Sequence, residues 1–333
     1  MNIRHGAKNL LAAAAIAATT AGVFATTATA ETNWIMASGY ADTNFMTRNI
    51  QEFIEDVKAA TEGELTITLH SNGTLIKLDG IRRAVQTGQV QIGEVRLGSY
   101  SNEDPMYNLA GLPFVAGDYD SAWKLMQAQK PYFDEMFGKI GFKALAYQPW
   151  PGQGFYTKSP VTGLADFKGQ KLRIYSKATQ DMGNALGFEA TILPFAEIPQ
   201  AFATGLIDAL FTSPQTGIDI QAWDNTDHFT AAGAIYTKNA IIVNKDAFEA
   251  LPEDVQMALV KAGEAATKRG WEMSKAVYGE QLETLKSNGM TVADAPDEVI
   301  AKLKEIGGTM MAEWKASASP EAIAVLKAYQ AGL

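Results

Sequence analysis

Arg173 is the residue of this chain whose chemistry could grip another charged group. It lies in "KGQKLRIYSK" (residues 168–177), a strand-like run in which Leu172 and Ile174 point the opposite way. A guanidinium is a planar fork of N–H donors that stays charged and can hold a carboxylate through two parallel bonds. Taken alone, an arginine in a strand more often serves a solvated face or a structural ion pair. The rest of the reactive inventory is thin. There is no cysteine, which excludes thiol catalysis, cysteine-ligated metals and disulfides. Of the three histidines, His5 lies in the first thirty residues, and His70 and His228 are far apart with no metal-ligand spacing. No nucleophile elbow, phosphate-binding loop, dinucleotide fingerprint or EF-hand loop occurs, so no metal and no cofactor is expected. Catalysis by scattered carboxylates stays open, because acidic pairs carry no sequence signature.

The elements that must position Arg173 alternate. Residues 33–40 read as a strand, and Met46, Ile50, Phe53, Ile54 and Val57 follow at helical spacing. "ELTITLH" (64–70) is a strand, Leu78, Ile81 and Val85 mark a short helix, and "VQIGEV" (90–95) is strand again. After "QPWPGQG" (148–154), whose prolines and glycines mark a crossing or turn, the same order recurs. "FKGQKLRIY" is a strand, "ATQDMGNALG" a helix ending at Gly187, "ATILPF" a strand, "EIPQAFATG" a helix ending at Gly205, and "IDALFTS" a strand. Such alternation predicts α/β layers with a ligand at the carboxyl ends of the strands.

"NAIIVNKDAF" (239–248) reads as a further strand. From Glu253 to about Ser287 the chain then runs without proline. At about 1.5 Å per residue this reaches roughly 50 Å, longer than one lobe is wide, so the helix bridges two lobes unless it kinks near Gly263 or Gly270. Ser319, Pro320 and Glu321 open a last helix over 320–331.

Arg4 and Lys8 precede an apolar run that closes on Ala28, Thr29 and Ala30, the pattern of a cleavable secretory signal peptide over residues 1–30. Its removal leaves 26 basic against 37 acidic side chains, a net charge of −11, so nucleic acid is an unsuitable partner. Exported, two-lobed and catalytically bare, the chain has the profile of a protein that closes around a small molecule.

Several motifs, in order and covering nearly the whole mature chain, carry a resemblance. They are "LAGLPFV" (109–115), "FKGQKLRIY", "LPFAEIPQAFATGLIDA" with its spaced Pro194, Glu197, Ala201, Gly205 and Asp208, and "NKDAFEALPEDVQ" before the long helix. The sequence resembles the solute-binding proteins of tripartite ATP-independent periplasmic (TRAP) transporters, of the dicarboxylate-uptake family. The resemblance implies a two-lobed α/β periplasmic binding fold with a hinge cleft. It implies lobe I over 31–150 plus 239–278, lobe II over 151–238 plus 279–333, and a monomeric receptor that delivers its solute to the small and large membrane permease subunits. It also implies that Arg173 grips the solute carboxylate.

Departures from the family pattern bear on the solute. Many relatives carry a second arginine just upstream in an N-G-x-R turn, where this chain has "QGFY" and Tyr156. Arg96 in "GEVRLGS" falls near a ligand-facing position of the first lobe and could supply a relocated cation, or be a surface arginine at a strand end. Family-like placement brings Phe195, Phe211, Thr212 and Ser213 to the cleft, with Trp150 and Tyr156 by the crossing and Ser38, Tyr40 and Asn44 after the first strand. One arginine and several rings favour a monocarboxylate with an apolar or aromatic body, such as a benzoate. Short hydroxy or keto acids, a dicarboxylate, an exported carboxylate-dependent enzyme, and a binding protein for a sensor or an ATP-driven importer are the competing readings.

Overall fold

The computed structural model describes residues 31–332; the signal-peptide expectation lies outside them. The strands in chain order are β1 (Thr32–Ala37), β2 (Leu65–His70), β3 (Ile92–Arg96) and β4 (Phe142–Pro149), then β5 (Gly154–Thr157), β6 (Lys171–Ile174), β7 (Glu189–Ile192), β8 (Ala209–Thr212) and β9 (His228–Ala231). β10 (Lys238–Asn244) and β11 (Thr291–Asp294) complete the set. One five-stranded sheet has the order β2-β1-β3-β10-β4, and one six-stranded sheet the order β11-β9-β5-β8-β6-β7.

The chain passes between the sheets at three places. Residues 150–153 lead from β4 to β5, residues 232–237 lead back from β9 to β10, and the helix Glu253–Ser287 leads from β10 to β11. In the first sheet β1, β2 and β3 are parallel and β10 is antiparallel to both its neighbours. In the second, β6, β7 and β8 are parallel, while β5 runs antiparallel to β8 and β9. The parallel strands of each sheet therefore turn their carboxyl ends toward loops that can meet a ligand.

Local chemistry sets these elements. In β1, Trp34 and Met36 are buried while Ile35 is turned outward, the period-two alternation of a sheet with one covered face. The helix Phe45–Ala60 buries Met46, Ile50, Phe53 and Val57, and Asn44 caps it by accepting the Met46 N–H. Ser176 and Ser213 each accept a backbone N–H three residues on, stopping a strand and starting a helix within a few residues.

The 35-residue helix is continuous. Two of its glycines answer close approach: a Cβ on Gly270 would stand 2.8 Å from Nδ2 of Asn49 and 2.9 Å from Cβ of Gln148, and one on Gly263 would meet the Leu145 carbonyl. The predicted strand 239–248 ends earlier. Asn244 accepts the Ala247 N–H and opens the short helix Lys245–Glu249, so its side chain converts the end of the apolar run into a cap. The helices Tyr119–Lys139 and Asp297–Ser317 were not foreseen; both are amphipathic. The last helix, Pro320–Gln330, packs on Tyr119–Lys139, with Tyr329 donating to the Val115 carbonyl. Among the described residues no helix is long and apolar enough to cross a membrane.

Candidate functional site

Arg173 is 1% exposed although it is the largest side chain among the fully buried ones. On β6 it alternates with Leu172 and Ile174, which are core residues, and its guanidinium faces a cavity between the two sheets. Its Nε and Nη2 both donate to the Leu193 carbonyl, at 3.1 and 2.9 Å, which fixes the plane of the fork. Among the described residues no carboxylate lies within salt-bridge distance of it. Burial, and then the positive charge of Arg96, push its pKa down to about 9. The group is still a cation at neutral pH, with no carboxylate paired to it among the described residues and Asp79 acting on it only at a distance.

Two rows of side chains complete the cavity, which is narrow because the rings and hydroxyls of the two sheets already stand close together. From the first sheet come Tyr40 after β1, Arg96 at the end of β3 and Trp150 after β4. From the second come Tyr175 beyond β6, Phe195 beyond β7, and Thr212, Ser213 and Thr216 at the end of β8 and the start of the next helix. The crossings supply Gln153 and Thr237.

The rings close on one another. Tyr40 stands edge-on to Trp150 at 5.0 Å and to Phe195, from the opposite sheet, at 5.6 Å. The Tyr175 ring lies between the two cations, 5.5 Å from the Arg96 guanidinium carbon and 5.9 Å from that of Arg173. Its hydroxyl donates to Oε1 of Gln153 at 2.5 Å, and Nε2 of Gln153 donates to the Thr237 hydroxyl at 3.1 Å. Arg96 is already engaged, donating from Nε to Ser99 at 3.0 Å and standing 3.5 Å from a carboxylate oxygen of Asp79.

Of the residues singled out in the sequence, Arg173, Arg96, Tyr40, Trp150, Phe195, Thr212 and Ser213 are thus brought together around one cavity. Phe211, Tyr156, Ser38 and Asn44 do not line it. Phe211 faces the opposite side of β8 from Thr212 and packs on Phe155 at 4.9 Å. Tyr156 packs on Phe229 at 4.7 Å and donates to the Ser213 carbonyl at 3.1 Å. Ser38 donates to Glu94 at 2.6 Å, and Asn44 donates to Asp219 at 2.8 Å. Gln153, Tyr175, Thr216 and Thr237 line the cavity and were not foreseen. Tyr175 carried a signal, since it is two residues from Arg173 in the same extended run.

Residues 36–317 match the family described as bacterial extracellular solute-binding protein, family 7 (DctP). The chain belongs to that family. It is a solute-binding protein of the TRAP type, and its fold is the two-lobed one of its solved relatives. DctP7 of Bordetella pertussis, an extracytoplasmic solute receptor binding pyroglutamic acid, is 41% identical with a TM-score of 0.87, over 90% of this chain and 99% of that one. A marine metagenome TRAP solute-binding protein specific for pyroglutamate is 37% identical with the same TM-score, over 91% and 99%. The C4-dicarboxylate-binding periplasmic protein DctP of Rhodobacter capsulatus is 28% identical over 72% of this chain and 73% of its own length. Members of family 7 are transport receptors, not enzymes, and they work with membrane permease subunits.

Proposed function

We propose that this family 7 receptor binds pyroglutamate, or a small cyclic monocarboxylate closely like it, and delivers it to a TRAP permease. The observation that carries the reading is the buried Arg173 fork, cationic, oriented by Leu193 and without a protein carboxylate among the described residues. A solute carboxylate supplies the missing charge, and in a cleft shielded from water the pair is stronger than at a surface.

The rest of the lining argues for the body of the solute. A lactam ring has two flat faces, one N–H and one carbonyl. Tyr40, Trp150 and Phe195 offer apolar surface to the faces, and Gln153, Thr212, Ser213, Thr216 and Thr237 offer donors and acceptors for the amide. Receptors 41% and 37% identical to this chain bind that compound. A benzoate-like acid is the second reading, favoured by the three rings. It leaves the five amide and hydroxyl side chains with less to do, and unmatched polar groups weaken binding. Arg96 does not argue for a dicarboxylate, because Asp79 and Ser99 already hold it.

Binding proceeds by hinge closure. The acid docks on Arg173, the lobes swing about the crossings near 150, 238 and 279, and contacts such as Tyr40 with Phe195 and Asn44 with Asp219 form across the cleft. A thermal-shift and calorimetric screen of the mature chain tests this. Pyroglutamate is expected to raise the melting temperature and give a saturable isotherm. Silence with pyroglutamate alongside a strong response to succinate or benzoate overturns it.

A further inference from the structure

We propose that Glu94 is a positioning residue for the solute cavity, fixing the Trp150 indole through the amide of Asn239. The inference rests on reading this cavity as the solute site. Glu94 lies on β3 two residues before Arg96, is fully buried, and does not itself line the cavity. Its Oε2 accepts from the Ser38 hydroxyl at 2.6 Å, and its Oε1 accepts from Nδ2 of Asn239 at 3.0 Å and Nε2 of Gln148 at 3.2 Å. Among the described residues no cation lies within salt-bridge distance of it.

The direction of these bonds is what matters. An asparagine amide can be turned either way unless its neighbours forbid one choice. Here a carboxylate accepts at Nδ2, and the indole Nε1–H of Trp150, which can only donate, meets Oδ1 at 2.9 Å. Only one orientation satisfies both. Trp150 is then held at its nitrogen, and its ring supports Tyr40, which reaches Phe195 on the other sheet. Nδ2 of Asn239 also points toward the Tyr40 hydroxyl at 3.4 Å.

The far end of the network cannot drift either. Oε1 of Gln148 accepts from Asn49 at 2.8 Å, and Oδ1 of Asn49 accepts from Nε of Arg269, on the long helix, at 2.8 Å. A buried carboxylate without a counter-ion is a poor way to stabilise a fold, since well-packed apolar groups do as well or better. Three donors converging on it make sense as a means of orienting what they belong to.

Glu94→Gln tests this, because it places a donor among three donors. The first readout needs no solute: the near-ultraviolet circular dichroism of Trp150, isolated as the difference between each protein and its Trp150→Phe counterpart. That signal is expected to shrink in Glu94→Gln. The second is a double-mutant cycle on the pyroglutamate dissociation constant. Glu94→Gln is expected to weaken binding about tenfold in the parent and less than about twofold in the Trp150→Phe background, as befits one lost buried bond acting through the indole. Should Glu94→Gln not fold, Asn239→Ala cuts the same link and is read the same way. An unchanged indole signal, or an equal loss in both backgrounds, overturns the proposal. Should the parent ignore pyroglutamate, the solute reading fails, and the solute-free signal still decides the role of Glu94.

Discussion

Asn44 and Asp219, 175 residues apart in the chain, share a hydrogen bond of 2.8 Å from Nδ2 to Oδ2 across the cleft. Asn44 does two things at once, because its Oδ1 also accepts the Met46 N–H and caps the helix Phe45–Ala60. The other Asp219 oxygen accepts from Gln215 at 2.8 Å, and Gln215 accepts in turn from Gln281 on the long helix. Asn44, which follows β1 of the first sheet, thus reaches the helix that follows β8 of the second.

The two roles can be separated. Asn44→Ser keeps an oxygen for the cap and loses the donor to Asp219, whereas Asn44→Ala loses both. Both variants are expected to weaken solute binding about fivefold, the worth of one partly buried hydrogen bond in the closed form. Only the alanine variant is expected to lose a further 0.5–2 kcal/mol or so of unfolding free energy. Calorimetric affinity and urea denaturation measure the two effects; equal stability losses would remove the cap from the argument.

Asp219 makes folding depend on pH. Burial, seconded by the negative charge of Glu94 and opposed by the bonds from Gln215 and Asn44, pushes it up to about 7. The folded chain thus keeps a proton that the unfolded chain releases near pH 4. The stabilisation is complete below about pH 4 and is lost as pH rises through about 7. Asp219→Asn is expected to remove that downward slope. Urea midpoints from pH 4 to 8 for the two proteins check it, and parallel curves would contradict it.

Lys238 works with the opposite sign. It is buried on β10, its ammonium donates to Oε1 of Gln129 at 2.7 Å, and burial pushes its pKa down to about 7. Between about pH 7 and 10 the unfolded chain holds the proton and the folded chain does not, so stability rises with pH there, by on the order of 3 kcal/mol. Lys238→Met is expected to flatten that rise relative to the parent. Denaturation at pH 7 and pH 10 shows whether it does.

How much of this was legible in the sequence depends on the range of the interaction involved. The alternation around Arg173 and the position of "LFTS" at a strand end are local, and they led to the cavity. The facing of Tyr156 is not local. β5 runs antiparallel to β8, pairing Gly154 with Thr212 and Tyr156 with Leu210, so the cleft end of β5 is its beginning. Gln153, just before it, reaches the cavity, and Tyr156 lies deeper in the sheet. Strand direction is a property of pairing over more than fifty residues, and nothing in "QGFY" encodes it. Asn44 does not line the cavity, and its partner Asp219, 175 residues away, could not be read from its own neighbourhood.

Tyr156 therefore makes a discriminating test. Its hydroxyl donates to the Ser213 carbonyl and lies against the Gly217 backbone N–H, and Tyr156 does not line the cavity. Tyr156→Phe is expected to lower stability by about 0.5–1.5 kcal/mol, one buried hydrogen bond, and to leave solute affinity within about twofold. A tenfold loss of affinity without loss of stability would put the ring back on the solute.

Arg173 separates function from folding most sharply. Arg173→Lys keeps a positive charge, but a compact ammonium cannot hold the Leu193 carbonyl through two N–H groups and still present a planar edge to a carboxylate. Affinity for the acid is expected to fall by about 2–3 kcal/mol, roughly 30- to 150-fold. Arg173→Met goes further and removes the buried cation altogether. Its side chain fills much of the same volume, and the solute-free protein no longer carries an uncompensated charge in its interior, a change that offsets the unpaired Leu193 carbonyl. The solute-free melting temperature is thus expected to be no lower than that of the parent, while the solute-induced shift disappears. The opposite pattern, a collapse of stability with binding retained in the folded fraction, would make Arg173 a structural strut and leave the cavity without its anchor.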